Sequence, residues 1–276
     1  MVWQVVCQCI PARMPSTHSI SRNPLILLAS IAICGCLPSL AAQVQTTGLV
    51  NSYPSLGEIV NRMIQAEGEN RERLDQYSVT RKYQLRNGTN RRAEMEVRVD
   101  YRRGEGKSFE VLSSEGEGVG GHVLRRLLET EAELSRQGDY RPSRLSPENY
   151  SFRLLGTETR GHRLCYVLEL TPLRKSKYLL AGKAWVDAKE FAIVHVEGQS
   201  AASVSFWVGK PFIVLDFEKV GNFWLASHNF SHADCKLIGS TDLTIEYSPY
   251  QVQSFGERAE VRRHPRHSRA AYNSSE

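Results

Sequence analysis

The feature that most constrains this chain is the run from Tyr150 to Glu197, YSFRLLGTETRGHRLCYVLELTPLRKSKYLLAGKAWVDAKEFAIVHVE. Within it Leu164, Tyr166, Leu168 and Leu170 alternate with Cys165, Val167, Glu169 and Thr171, which is the period of a strand with one buried face. Breaks at Gly161, at Pro172–Lys177 and at Asp187–Glu190 divide the run into four strands. Breaks this short force antiparallel pairing, because a parallel neighbour needs a crossover of about a dozen residues or more. The run therefore predicts a meander, to which the rest of the chain adds strands and two covering helices.

Pro54 and Ser55 open the first helix, with Ser55 and Glu58 at the spacing of a capping box. Leu56, Ile59, Val60, Met63 and Ile64 share one face, and the helix is expected to end between Asn70 and Leu74. Tyr77, Val79, Tyr83 and Leu85 then alternate with polar residues up to Asn87-Gly88, a hairpin signal. Met95, Val97, Val99 and Tyr101 face inward on the next strand, and a third runs from Lys107 to Ser113. The glycine-rich stretch Glu115–Gly121 lacks the Lys-Ser/Thr of a phosphate loop and reads as a hinge. A second helix is predicted over Val119–Gln137, with Val123, Leu124, Leu127, Leu128 and Leu134 as its apolar stripe and its glutamates and arginines solvated. After the meander, Pro211–Val220 is apolar on both faces and is expected to be covered on both. Phe223–Asp234 and a last strand, Thr241–Tyr247, complete about ten strands. The fold class is α+β: a large curved antiparallel sheet with helices over its concave face.

The ends read differently. Arg13 and Arg22 precede an apolar run, Leu25–Leu37, followed by Pro38 to Ala42. That is the pattern of a secretory signal peptide over 1–42, and the run is shorter than the ~20 residues that span a bilayer. An exported, periplasmic protein follows; the rival reading is a lipid anchor on Cys36. Residues 43–54 form a polar linker, 55–250 the folded domain, and 251–276, with RRHPRHSR, a disordered basic tail. Of six cysteines only Cys165 and Cys235 lie beyond the leader. An exported location permits one bridge between them, and two simply buried thiols are the other reading. The mild net charge of +5 mixes 30 acidic with 35 basic residues, which does not argue for nucleic acid.

No catalytic constellation stands out. His228, His232 and Asp234 share strand parity, but His228 and His232 lie about 13 Å apart at ~3.3 Å per residue, so one ion cannot bridge them. There is no G-x-S-x-G elbow. Cys165 sits mid-strand among apolar neighbours, His195 reads as a packed or rim histidine, and Asp187, Glu190 and Glu197 read as solvent-facing turn and strand-end residues. The expectation is a protein that is not an enzyme and needs no metal or cofactor.

A curved sheet under amphipathic helices suits an apolar cavity for acyl chains. At this point the residues carry a resemblance. The leader, the helix Leu56–Leu74, Tyr166-Val-Leu-Glu-Leu-Thr-Pro172, Trp185-Val-Asp187 with Phe191-Ala-Ile-Val194, and Gly221-Asn-Phe-Trp-Leu225 resemble the outer-membrane lipoprotein-sorting proteins. This is the LolA/LolB-like superfamily, which also includes the periplasmic sensor RseB. The resemblance spans roughly Leu56 to Tyr247. A proline often follows the Trp-Leu pair in relatives; Ala226 stands there here, and no functional arginine aligns. The resemblance implies an unclosed half-barrel whose helices cover a hydrophobic cavity. It implies a periplasmic carrier or chaperone for acyl chains of lipoproteins or related lipids, sorting them towards the outer membrane. An envelope-stress sensor or regulator on the same scaffold is the alternative. Implied partners are the lipid itself and membrane-bound donor or acceptor proteins, around a monomer. Strand parity and the helix stripes nominate Ile59, Met63, Val97, Val99, Leu124, Leu128, Tyr166, Leu168, Trp185 and Ile193 as the cavity lining.

Overall fold

The computed structural model describes residues 54–254, apart from 89, 117–118, 138–140, 207 and 237–238. The expected leader, nearly all of the linker and the end of the tail lie outside the described residues.

Helix α1 spans Leu56–Arg73. Ser55 caps it, its hydroxyl accepting the Glu58 N–H at 3.3 Å. Ile59, Val60 and Met63 form its buried stripe. Arg71 and Arg73 sit in its last turn, where the helix dipole favours cations. Arg103 donates to the carbonyls of Arg71 and Leu74, satisfying acceptors that a helix end leaves open. The chain then passes without a turn into β1 (Leu74–Asn87), followed by β2 (Asn90–Arg102) and β3 (Gly106–Glu115). Helix α2 covers Val119–Gln137, the range its periodicity predicts. The meander follows as β4 (Tyr150–Arg160), β5 (Arg163–Pro172), β6 (Leu180–Asp187) and β7 (Ile193–Ser200). Strands β8 (Phe212–Val220), β9 (Phe223–Cys235), β10 (Gly239–Tyr247) and β11 (Gln251–Ser254) complete the chain.

The eleven strands of the described residues form one sheet, ten of them in the order β3-β2-β1-β10-β9-β8-β7-β6-β5-β4, with β11 beside β1. Every neighbour is antiparallel, as the short connections require. The first strand lies beside the last ones. The second half of β1 pairs with β10, Arg81 opposite Tyr247, while its first residues pair with β11. The edges β3 and β4 do not meet, so the sheet is an open half-barrel, and the segment carrying α2 joins the two edges. No helix among the described residues is long and apolar enough to cross a membrane.

Three expectations need correction. Gln251–Ser254 are not tail: they form β11 and extend the sheet alongside β1. β8 is not covered on both faces, because Ile213 and Leu215 are buried whereas Phe212 is exposed. β5 is not one-sided. Tyr166 and Leu168 pack under α1 with Val186 and Phe191, while Cys165 and Val167 form a second cluster on the opposite face with Trp185 and Val194. That face is shielded in part by Arg160, whose guanidinium lies 5.2 Å from the Trp185 ring.

Gly182 of β6 faces Gly198 of β7. A Cβ on Gly182 would stand 2.0 Å from the Glu197 carbonyl oxygen. Gly182→Val is therefore expected to lose about 3 kcal/mol or more, because backbone rather than a side-chain end must yield. Urea denaturation should show its midpoint falling well below that of the wild type.

Candidate functional site

The C-terminal half of α1 stands off the sheet and roofs a groove of about 520 Å³. Ala66 and Asn70 line it from the helix. Leu180, Ile193, Val196, Leu215 and Leu225 line it from β6, β7, β8 and β9. On β7, Ile193 and Val196 are three residues apart and both reach the groove because the β6–β7 register shifts between Trp185 and Val186.

The roof is pinned at defined points. Asn70 clamps α1 to β9 through both ends of its amide, donating to the Trp224 carbonyl at 3.0 Å and accepting the Trp224 N–H at 2.8 Å. Arg62 lies over the Phe191 ring at 3.8 Å. Phe191 itself adopts a left-handed backbone, φ 56°, rarely used by aromatic residues. The turn around it is organised by Asp187, whose carboxylate accepts the N–H groups of Lys189 and Glu190 at 3.0 and 2.7 Å. Asp187 is thus buried rather than solvent-facing, and Arg163 donates to it at 3.0 Å. Glu190 receives the Trp224 indole N–H at 3.0 Å and pairs with Lys219.

At its β1 end the groove meets a buried ionic cluster. Arg81 and Lys107 line it, and both pair with Glu131 of α2. Arg81 Nη1 donates to both Glu131 carboxylate oxygens, at 3.0 and 3.1 Å. Burial works to neutralise Glu131, but the charges and hydrogen bonds of Arg81 and Lys107 outweigh it and hold its pKa down at about 2. Burial likewise opposes the Arg81 charge, and Glu131 overcomes it, so the guanidinium stays charged. The start of β3 is fastened beside this cluster, with the Lys107 N–H donating to Ser135 at 2.8 Å. Gly106, at φ +86°, permits that approach, since a Cβ there would meet the Ser135 hydroxyl at 2.8 Å. By residue type Glu131 counts among the solvated residues of α2, whereas the structure buries it. The signal was present: Arg81 has the inward parity of Val79 and Tyr83, and Glu131 follows Leu124, Leu127 and Leu128 at helical spacing.

Of the ten nominated lining residues, Ile193 borders this groove. Ile59, Met63, Tyr166 and Leu168 instead make solid contact between α1 and the meander. Val97, Val99, Leu124 and Leu128 fuse α2 to β1, β2 and β10. Trp185 lies on the other face, because Tyr166 pairs with Val186 and Val167 with Trp185; its indole N–H donates to Glu158 at 2.9 Å. On that same face His195 is buried, with Nδ1 2.6 Å from Asp216, and this hydrogen bond holds the Asp216 carboxyl below the usual range. His228 and His232 have separate partners, Asp216 and Asp242. No group of residues among those described could hold a metal ion. Cys165 and Cys235 are free thiols. Three strands, β6 to β8, separate them in the sheet, and at about 4.8 Å per strand this exceeds the reach of a disulfide.

No family model matches the chain, and no curated protein matches it by sequence. Among solved structures it is similar to an outer membrane lipoprotein-sorting protein domain from Vibrio parahaemolyticus. That match has 14% identity and a TM-score of 0.39, covering 71% of this chain and 94% of that one. It is similar to a LolA superfamily protein from Nitrosomonas europaea at 13% identity and TM-score 0.38, covering 75% and 97%. It is also similar to the Pseudomonas aeruginosa MucA/MucB complex at 11% identity and TM-score 0.26, covering 74% and 95%. At these identities and TM-scores the likeness does not extend to ligand or partner.

Proposed function

We propose that this chain is an exported carrier that holds the acyl chains of a lipoprotein or related lipid in the groove beneath α1. The observation that carries this reading is the groove itself: about 520 Å³, with aliphatic side chains of four strands on the sheet side and charged residues such as Glu67, Arg71, Arg73 and Arg144 on the other. Its volume lies within the ~300–1,000 Å³ of ligand pockets. The roof suits loading and release. α1 is anchored through Ile59, Val60 and Met63 at one end, while its other end meets the sheet through polar clamps such as Asn70. Such clamps exchange with water more readily than a packed apolar contact. Each buried methylene contributes ~0.8 kcal/mol, so an acyl chain gains enough to offset its ordering on binding.

Mass spectrometry of lipid extracted from the purified protein tests this. Recovery of acyl-bearing lipid in stoichiometric amount supports it. Protein that purifies empty, and takes up no lipid from mixed vesicles, contradicts it.

A further inference from the structure

We propose that the ionic end of the groove is a receptor for the anionic head of its lipid, a carboxylate or a phosphate. This rests on the acyl-chain reading above and specifies what the chain is attached to.

The first observation is charge. Arg81, Lys107 and Glu131 are 1, 6 and 1% exposed. Two cations stand against one carboxylate, so a net positive charge is held out of water where Arg81 and Lys107 border the groove. Uncompensated buried charge is unfavourable, and an anion placed there relieves it. The second observation is independent of charge. The hydrogen bonds from Arg81 to Tyr83 and Glu131 all leave from Nη1, and its Nε–H finds no acceptor among the described residues. The Tyr247 hydroxyl, directly across the ladder from Arg81, is likewise buried without a partner. So are both ends of the Asn229 amide. Asn229 pairs with Ile245 and therefore lies diagonal to Tyr247 on the same inner face. Buried polar groups are almost always hydrogen-bonded. Arg81 borders the groove, and Tyr247, whose ring lies 4.8 Å from the Arg81 guanidinium, and Asn229 stand next to it without lining the groove; three unpartnered donors there, beside an excess cation, mark a place for an acceptor. The Nε edge of a guanidinium matches carboxylate and phosphate oxygens, and the Tyr247 hydroxyl and Asn229 amide supply further donors.

The test compares palmitate, hexadecyl phosphate and hexadecanol, which share a chain and differ in the head. Each displaces a bound fluorescent fatty acid from the wild type, from Tyr247→Phe and from Lys107→Met, with thermal melting as the check on folding. The wild type is expected to bind one or both anions about tenfold more tightly than the alcohol. Which anion wins identifies the head as carboxylate or phosphate. Tyr247→Phe removes an unpartnered hydroxyl, so it is expected to fold as well as the wild type and to bind anions several-fold more weakly, with hexadecanol unchanged. Lys107→Met keeps the Arg81–Glu131 pair and is expected to erase most of the anion preference. Equal binding of all three lipids by the wild type, or an undiminished preference in the folded Tyr247→Phe protein, overturns the head-group proposal and leaves the carrier reading standing. Failure of all three lipids to bind overturns both.

Discussion

Glu131→Gln is expected to destabilise the protein by about 3–5 kcal/mol at neutral pH, among the largest effects of any single side-chain change. The substitution keeps the shape of the side chain and removes its charge, stranding Arg81 and Lys107 in the interior with no counter-charge. The effect carries a pH signature. The folded-state pKa of Glu131 is lowered from 4.5 to about 2. The stabilisation it brings is therefore fully present above the unfolded value near 4.5, and is lost as pH falls through the folded value near 2. Wild type and variant should differ most at neutral pH and converge as pH falls from about 4.5 towards 2, where the unfolded chain takes up a proton that the folded carboxylate still resists. Melting curves across that range check this. A variant that melts with the wild type at pH 7 would remove Glu131 from the account of what joins α2 to the sheet.

Leu128→Glu is expected to abolish stable folding. By sequence Leu128 is a candidate cavity wall, and a charged residue at a cavity wall is tolerated. In the structure it packs with Leu124, Leu127, Val97 and Val99 between α2 and the sheet. A carboxylate there would sit among these apolar side chains and be buried at a cost of several kcal/mol, comparable to the whole stability of a domain. Circular dichroism should show loss of cooperative melting. A folded Leu128→Glu protein would mean that α2, like the end of α1, is a movable cover.

These two residues show where sequence reasoning succeeds and where it stops. Alternation assigned Met95, Val97 and Val99 to the inner face, and the apolar stripe placed α2 at Val119–Gln137; the structure agrees in both cases. Those patterns follow from local geometry, two residues per strand repeat and 3.6 per helical turn. Which inner-face residues a helix covers and which it leaves bare is a matter of docking, and no local period encodes it. Hence Leu168 and Leu215 read alike in sequence, yet one packs under α1 and the other borders the groove. Charge by itself marks a residue as solvent-facing, so Arg81 and Glu131 are hidden by their type although their spacing points inward. Asp187 was missed for a related reason. Turn carboxylates ordinarily face water, whereas this one is enclosed by the N–H groups and the arginine that it organises.

The central claim is that the space beneath α1 accepts an acyl chain, and filling that space tests it most directly. Ala66 borders the groove from the helix and is partly exposed, so Ala66→Trp places an indole in the void without displacing a core residue. Titration of a fluorescent fatty acid is expected to saturate on the wild type and to weaken by about tenfold or more on Ala66→Trp, with melting temperatures within a few degrees of each other. No saturable binding by the folded wild type, or equal binding by the two proteins, would contradict the assignment of this groove.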